Sequence, residues 1–100
     1  MKKIIAMTVL SLGVIGLAQA RDIGPDEAHR LLQAGTVKSL EDLNKAALEK
    51  HPGAQITDTE LDEEYGRYVY QVELRDTQGV EWDLDFDAAT GELLRHQQDD

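Results

Sequence analysis

The chain has 100 residues, of which 20 are acidic and 10 basic, and it contains no cysteine. The missing cysteines exclude disulfides, thiol catalysis and zinc–thiolate sites, and the acidic excess disfavours nucleic acid and anionic lipid as partners. This length allows one small domain, which must fold on its hydrophobic core alone.

The first twenty residues have the pattern of a cleavable secretory signal peptide. Lys2 and Lys3 precede an apolar run over 4–17, and an A-x-A sequence ends at Ala20. The run is shorter than the roughly 20 apolar residues of a transmembrane helix, and no cysteine follows it to carry a lipid. We therefore expect cleavage after Ala20, no stable membrane anchor, and a periplasmic or, alternatively, secreted product.

Two short helices are predicted next, over 25–34 and 39–50. Pro25 suits the first turn of the first helix, because the N–H that it lacks has no helical partner there. Ser39 is placed to cap the second helix by accepting a backbone hydrogen bond, and Pro52-Gly53 ends it. Neither helix is long enough to be stable alone, so both need a surface to pack on.

The second half of the chain alternates between apolar and polar residues, which predicts strands buried on one side. The predicted strands are 54–62, 67–75, 80–86 and a short fourth at 92–95. In the first strand, Ile56 and Leu61 have opposite parity, so a bulge near Asp58-Thr59 is expected to bring them to one face. The acidic stretch 62–66 is predicted to be a turn.

These elements predict an α+β fold, with two short N-terminal helices packed on one face of a three- to four-stranded antiparallel meander. The face beneath the helices carries the apolar residues of the alternating strands: Tyr68, Tyr70, Val72, Leu74, Val80, Trp82, Leu84 and Phe86. Trp82 is predicted to be the centre of the core.

The opposite face of the sheet is the candidate binding surface. It is predicted to gather the carboxylates Glu73, Glu81, Asp83 and Asp85. Like charges on neighbouring strands are mildly destabilising, so such a group serves solubility, binds a basic protein partner or holds a divalent cation weakly. Loss of Lys2 and Lys3 with the signal would leave 8 basic and 20 acidic residues, a net charge of −12, which favours cationic partners.

No residues are predicted to be catalytic, and no cofactor or metal site is predicted. Ser39 is expected to be a helix cap rather than a nucleophile, since no G-x-S-x-G context surrounds it. His29, His51 and His96 are isolated in the sequence and lack the spacing of metal ligands. The acidic run from Glu60 to 64 lacks the pattern of an EF-hand loop. The chain is therefore predicted not to be an enzyme.

Several stretches together resemble a PepSY domain. They are a helix that ends at Pro52-Gly53, the strands Tyr68–Leu74 and Trp82–Phe86, and the closing D-x-x-T-G-E-L-L element over 87–94. The resemblance covers 39–96. Residues 21–38 then form a leading helix and connector, and 97–100 a polar tail. In the closing element, Asp87 can bond its own turn and Gly91 can adopt positive φ, so the element is a fold signature.

The resemblance implies a function, because PepSY domains occur in the propeptides of secreted metallopeptidases and in small exported proteins. It implies a non-enzymatic periplasmic binding or regulatory protein that modulates or inhibits a peptidase in trans. The alternative is an accessory domain of an envelope sensor system that binds cations or cationic peptides. In either case the expected partner is a protein of the cell envelope, a peptidase or an envelope regulator.

Overall fold

The computed structural model describes residues 20–99, which form two α-helices and a five-stranded antiparallel sheet. In chain order the elements are β1 (Arg21–Asp22), α1 (Pro25–Gln33), α2 (Leu40–Lys50), β2 (Gln55–Glu64), β3 (Arg67–Arg75), β4 (Glu81–Asp87) and β5 (Leu93–Gln98). The α+β class and the two helices agree with the sequence prediction, whereas three to four strands were too few. The predicted signal peptide lies, apart from Ala20, outside the described residues.

The two helices differ in how deeply they pack on the sheet. Ser39 caps α2 as predicted, its Oγ accepting a hydrogen bond of 3.1 Å from the backbone N–H of Asp42. Helix α2 buries Leu43 and Ala47 completely, whereas α1 contributes side chains that are at most half-buried. Helix α2 is therefore the principal cover of the core. Among residues 20–99, no helix is long and apolar enough to span a membrane.

The sheet follows chain order, β1-β2-β3-β4-β5, and both of its edges extend beyond the prediction. Arg21 and Asp22, which belong to the segment predicted to be a leading helix and connector, pair with Glu63 and Asp62 of β2. Strand β5 continues to Gln98, into the segment 97–100 predicted to be a polar tail. Both extensions were missed because a two-residue strand shows no alternation and the end of β5 is uniformly polar. These residues are strands because they pair with β2 and β4, which the sequence of the segments alone does not show.

Strand β2 contains the predicted bulge, one residue earlier than expected. Its register with β3 shifts between Ile56 and Asp58, which leaves Thr57 as the extra residue. The shift places Ile56, Thr59 and Leu61 on the same face of the strand, opposite the apolar residues of β3. Without the bulge, Ile56 and Leu61 would lie on opposite faces of the strand.

The turn predicted over 62–66 is wrong in its bounds. Strand β2 continues to Glu64, and the hairpin turn consists of Tyr65 and Gly66 alone, with φ of 53° and 83°. Two central residues with positive φ match the twist of an antiparallel hairpin, although tyrosine is uncommon in this conformation. The acidic residues before the turn therefore alternate between the two faces of a strand.

The core lies between the helices and the inner face of the sheet. Its largest fully buried side chains are Phe86, Leu43, Leu74, Leu84 and Val72. Trp82, predicted to be the centre, is half-buried and packs against the margin of this cluster. It lies at the start of β4, beside His51 where α2 has ended. The face assignment was correct, and the position of the centre was wrong.

The closing turn after β4 has the geometry expected from its sequence. Asp87 Oδ1 accepts hydrogen bonds from the backbone N–H groups of Ala89 and Thr90, at 2.9 and 3.3 Å. Gly91 has a φ of 84°, and its N–H donates to the Asp87 carbonyl oxygen at 2.7 Å. The side chain of Asp87 is thus committed to shaping the turn that starts β5.

Candidate functional site

The four predicted binding residues share the outer face of the sheet, the face that the helices leave uncovered. Glu73 of β3 is the register partner of Asp83 of β4, while Glu81 and Asp85 lie two residues to either side of Asp83. The alternation of β4 directs all three of its acidic residues to this side. Their role in binding stays a prediction.

Arginines neutralise much of this acidic group. Arg95 of β5 lies 3.3 Å from Asp85 and 3.8 Å from Asp83, and Arg75 lies 2.8 Å from Glu81. The sequence prediction did not include Arg95, because the register of β5 on β4 could not be read from the polar end of β5. The outer face is consequently a mixed surface of ion pairs with an acidic excess.

The local environment disfavours full ionisation of two carboxylates on the outer face. Burial raises the pKa of Asp85, and the neighbouring Arg95 opposes this shift. Burial, followed by repulsion from Asp83, also raises the pKa of Glu73. Both groups would gain from a cationic group placed over the sheet, since such a group would stabilise their charged forms.

A concavity of about 350 Å³ opens on the outer face near the β2–β3 hairpin. Val69 lies in it and is 3% exposed, although it is on the side away from the core. Tyr65 and Leu94, which are 78% and 37% exposed, also line the concavity. Its remaining lining residues are Glu64, Arg67, Asp85 and Arg95. The outer face therefore combines apolar contacts with charges of both signs, as protein interfaces do.

A second acidic group lies at the edge of the sheet, where β1 meets β2. Carboxylate oxygens of Asp22, Glu60 and Asp62 all lie within 4.8 Å of one another. A hydrogen bond with Asp22, followed by burial, raises the pKa of Glu60 to about 7. Burial, followed by a hydrogen bond with Asp22, raises the pKa of Asp62 to about 6. The sequence prediction missed this group, because it assigned Asp22 to the leading segment, apart from the domain that contains Glu60 and Asp62.

Two of the three histidines meet beside Trp82. The Nε2 atoms of His51 and His96 are 2.8 Å apart, a hydrogen bond that requires one imidazole to donate and the other to accept. Both rings contact the indole, with centroid distances of 4.6 and 5.1 Å. The indole Nε1–H in turn donates to Asp76 Oδ2 at 3.0 Å.

The two histidines are in direct contact with each other. The distance between their nitrogens is that of a direct hydrogen bond, and within residues 20–99 no third His, Asp or Glu completes a ligand set around the pair. Burial, followed by repulsion from His51, lowers the pKa of His96. The sequence prediction treated these histidines as isolated because the 45 residues between them conceal their contact.

Comparison with known proteins places this fold within one family. The family model for the peptidase propeptide and YPEB domain, PepSY, matches residues 37–97. The uncharacterized protein YkoJ of Bacillus subtilis (strain 168) is 33% identical over 51 residues, which cover 51% of this chain and 30% of YkoJ. The chain thus spans under a third of this relative's length. No solved structure matches it.

Proposed function

Because the chain belongs to the PepSY family, we propose that it is a non-catalytic binding protein that restrains a peptidase carried on a separate chain. The family's description links the domain to peptidase propeptides. The proposal assigns the outer face of the sheet to the peptidase and the inner face to folding.

The observation that carries the proposal is the uncovered outer face with its concavity. In the part of the chain that the structure describes, both helices pack on the opposite face. Tyr65 and Leu94 offer apolar contact area beside Arg67 and Arg95. Glu73 and its acidic neighbours add a negative field that attracts a basic surface.

A non-catalytic role is supported by what the polar groups already do. The Ser39 hydroxyl caps α2, and the Asp87 carboxylate shapes a turn. The imidazoles of His51 and His96 bond to each other rather than to a hydroxyl group. These side chains serve the fold, and none of them forms the pair of nucleophile and base that hydrolysis requires.

We further propose that the protein acts in the periplasm after removal of residues 1–20. The first described strand starts at Arg21, directly after the predicted cleavage site, and Ala20 is exposed. Intact-mass measurement of the protein in a periplasmic extract should give a chain that starts at Arg21. A mass that includes Lys2 and Lys3, or recovery from the culture medium alone, would contradict this proposal.

Charge reversal tests the outer face directly. The variant E81K/D83K/D85K inverts the acidic side of β4, and tagged protein is used to capture partners from a periplasmic extract. We expect wild-type protein to retain a peptidase, identified by mass spectrometry, and to lower its hydrolysis of a casein substrate. The variant should lose both effects, because the repulsion would act across the whole interface.

A matched triple reversal on the helices controls for net charge. E41K/D42K/E49K changes the total charge equally, and all three positions are exposed on α2. This control should still capture and inhibit the peptidase. Equal loss in both variants would attribute binding to net charge, and retention by the β4 variant would remove the outer face from the proposal.

The sensor alternative predicted from the sequence is favoured by one observation, the group formed by Asp22, Glu60 and Asp62. An accessory domain that reports on cations needs such a group. Calorimetric titration with calcium tests this alternative separately from peptidase capture.

A further inference from the structure

Three carboxylates from two strands converge where the N-terminal segment joins the sheet. Asp22 of β1 is the register partner of Asp62 of β2, and Glu60 lies two residues before Asp62 on the same face. Oxygens from all three side chains lie within 4.8 Å of one another. Three ionised carboxylates at this separation repel one another strongly unless a proton or a cation lies between them.

Asp62 has a buried carboxylate oxygen that lacks a hydrogen-bond donor. Its side chain belongs to a residue that is only 8% exposed, and its Oδ1 atom is buried without a hydrogen-bond partner. A buried carboxylate oxygen that lacks a donor is costly, because it has lost its hydration without replacement. The same side chain offers an oxygen to the group, so the carboxylate that has an unfulfilled acceptor is a member of the group.

No basic side chain relieves this charge among residues 20–99. Within the described part of the chain, no lysine, arginine or histidine nitrogen lies within 4.0 Å of Asp22, Glu60 or Asp62. Arg21 is adjacent in sequence but points to the other face, where it bonds Glu27 at 2.9 Å and Glu63. The group differs in this respect from the acidic residues of β4, which have arginine partners.

We propose that Asp22, Glu60 and Asp62 form a binding site for one calcium ion. Oxygen ligands favour hard cations, and calcium bonds to oxygen are about 2.3–2.6 Å long, so two of its ligands lie up to about 5 Å apart. Magnesium needs bonds of about 2.0–2.1 Å, which require its ligands to lie within about 4.2 Å. Calcium can therefore span the whole range of separations, up to 4.8 Å, that the three oxygens have, whereas magnesium fits only the shorter part of that range. Water supplies the remaining ligands.

The site has a structural consequence that the family fold alone does not provide. Asp22 lies outside the segment 37–97 that matches the family, whereas Glu60 and Asp62 lie inside it. A bound ion would fasten β1, and with it the start of α1, to the second strand of the sheet. Calcium would thereby stabilise the N-terminal extension against the domain.

Calorimetry and thermal unfolding of the purified full chain, stripped with EDTA and held at pH 8, test the site. This pH lies above the raised pKa values of about 7 for Glu60 and about 6 for Asp62. We expect one calcium per chain with a Kd of about 10⁻⁴–10⁻³ M. Calcium at 10 mM should raise Tm by at least about 4 °C, and magnesium should raise it less.

Two variants and one control make the outcome decisive. Asp62→Asn and Asp22→Asn should abolish the calcium response, and Asp62→Asn should raise Tm in EDTA, because it removes a buried charge. Asp58→Asn lies on the same face of β2 outside the group and should respond like wild type. No heat and no Tm shift at 10 mM calcium, or a response that Asp22→Asn retains, would overturn the site. A larger shift with magnesium would overturn the choice of calcium.

Discussion

The two faces of the sheet are built by the same strands, yet they differ in what determines their structure. On the inner face, Leu74 and Leu84 are 0% exposed, and their positions follow from the period-two alternation of each strand alone. On the outer face, the environment of Asp85 depends on Arg95, a residue of another strand. The alternation within each strand therefore determines which side chains pack in the core, whereas the pairing between strands determines which charged side chains become neighbours.

The largest expected effect tests the inner face. Phe86→Ala should lower the free energy of unfolding by about 3–5 kcal/mol, because the ring is almost fully buried and its removal leaves a cavity. Gln97→Ala, an exposed position on the outer face, should change it by less than about 0.5 kcal/mol. Urea unfolding measures both variants, and equal costs would remove the distinction between the faces.

A smaller effect is expected at the margin of the core. Trp82→Ala should cost about 2–3 kcal/mol, less than Phe86→Ala, because the indole is half-buried. Trp82→Phe should lower the free energy of unfolding by less than Trp82→Ala, because it keeps an aromatic ring in place. It still loses the hydrogen bond to Asp76. Urea unfolding that ranks Trp82→Ala above Phe86→Ala would restore Trp82 to the centre of the core.

The ion pairs of the outer face should contribute little to stability. Arg95→Met removes a guanidinium that lies beside Asp83 and Asp85, and we expect a loss below about 1 kcal/mol, because Arg95 is half-exposed. The difference in stability between Arg95→Met and wild type should shrink in 1 M NaCl, where the Debye length is about 3 Å. A loss that persists at high salt would show that Arg95 acts through packing instead.

The weakest expected effect is a dependence of stability on pH at the histidine pair. The pKa of His96 lies below its ordinary value of 6.5, so the unfolded chain binds a proton more readily than the folded chain. Stability contributed by the neutral imidazole is therefore complete above pH 6.5 and is lost as the pH falls towards the lowered pKa.

Thermal unfolding between pH 7.5 and 5.5 checks this dependence. His96→Asn should remove the part of the slope in which stability rises with pH, and leave the opposite part that comes from the raised pKa values of Glu60 and Asp62. His29→Asn, at an exposed position on α1, serves as the control for removing an imidazole elsewhere. A slope in His96→Asn equal to that of wild type would show that His96 does not contribute to the pH dependence. Trp82 fluorescence should report the same transition, because the indole contacts both rings of the pair.

The sequence predicted the fold where the determinants are local. The cap at Ser39, the bulge of β2 and the turn at Asp87 each depend on a few neighbouring residues, and all three are present. Strand β1 was missed, because two residues carry no periodicity and only pairing with Asp62 makes them a strand. The end of β5 was missed for the same reason.

The candidate sites were harder to predict, because their members are distant in sequence. Asp22 and Glu60 are brought together by strand pairing, and His51 meets His96 only after α2 and β5 have docked. The four carboxylates of the outer face could be grouped from alternation, but their partner Arg95 could not be assigned without the register of β5. The composition predicted an acidic surface, but it could not predict which carboxylates form ion pairs with arginines.

The hairpin residue Tyr65 has a side chain that the fold does not require and that the surface exposes. Its positive φ is unfavourable for a tyrosine, and its ring is 78% exposed, so the side chain adds little to folding. Asparagine tolerates this backbone conformation better, so Tyr65→Asn should leave the domain as stable or more stable. Such a variant would remove the tyrosine ring from the lining of the concavity, and it would show whether recognition, rather than architecture, accounts for a tyrosine at this turn.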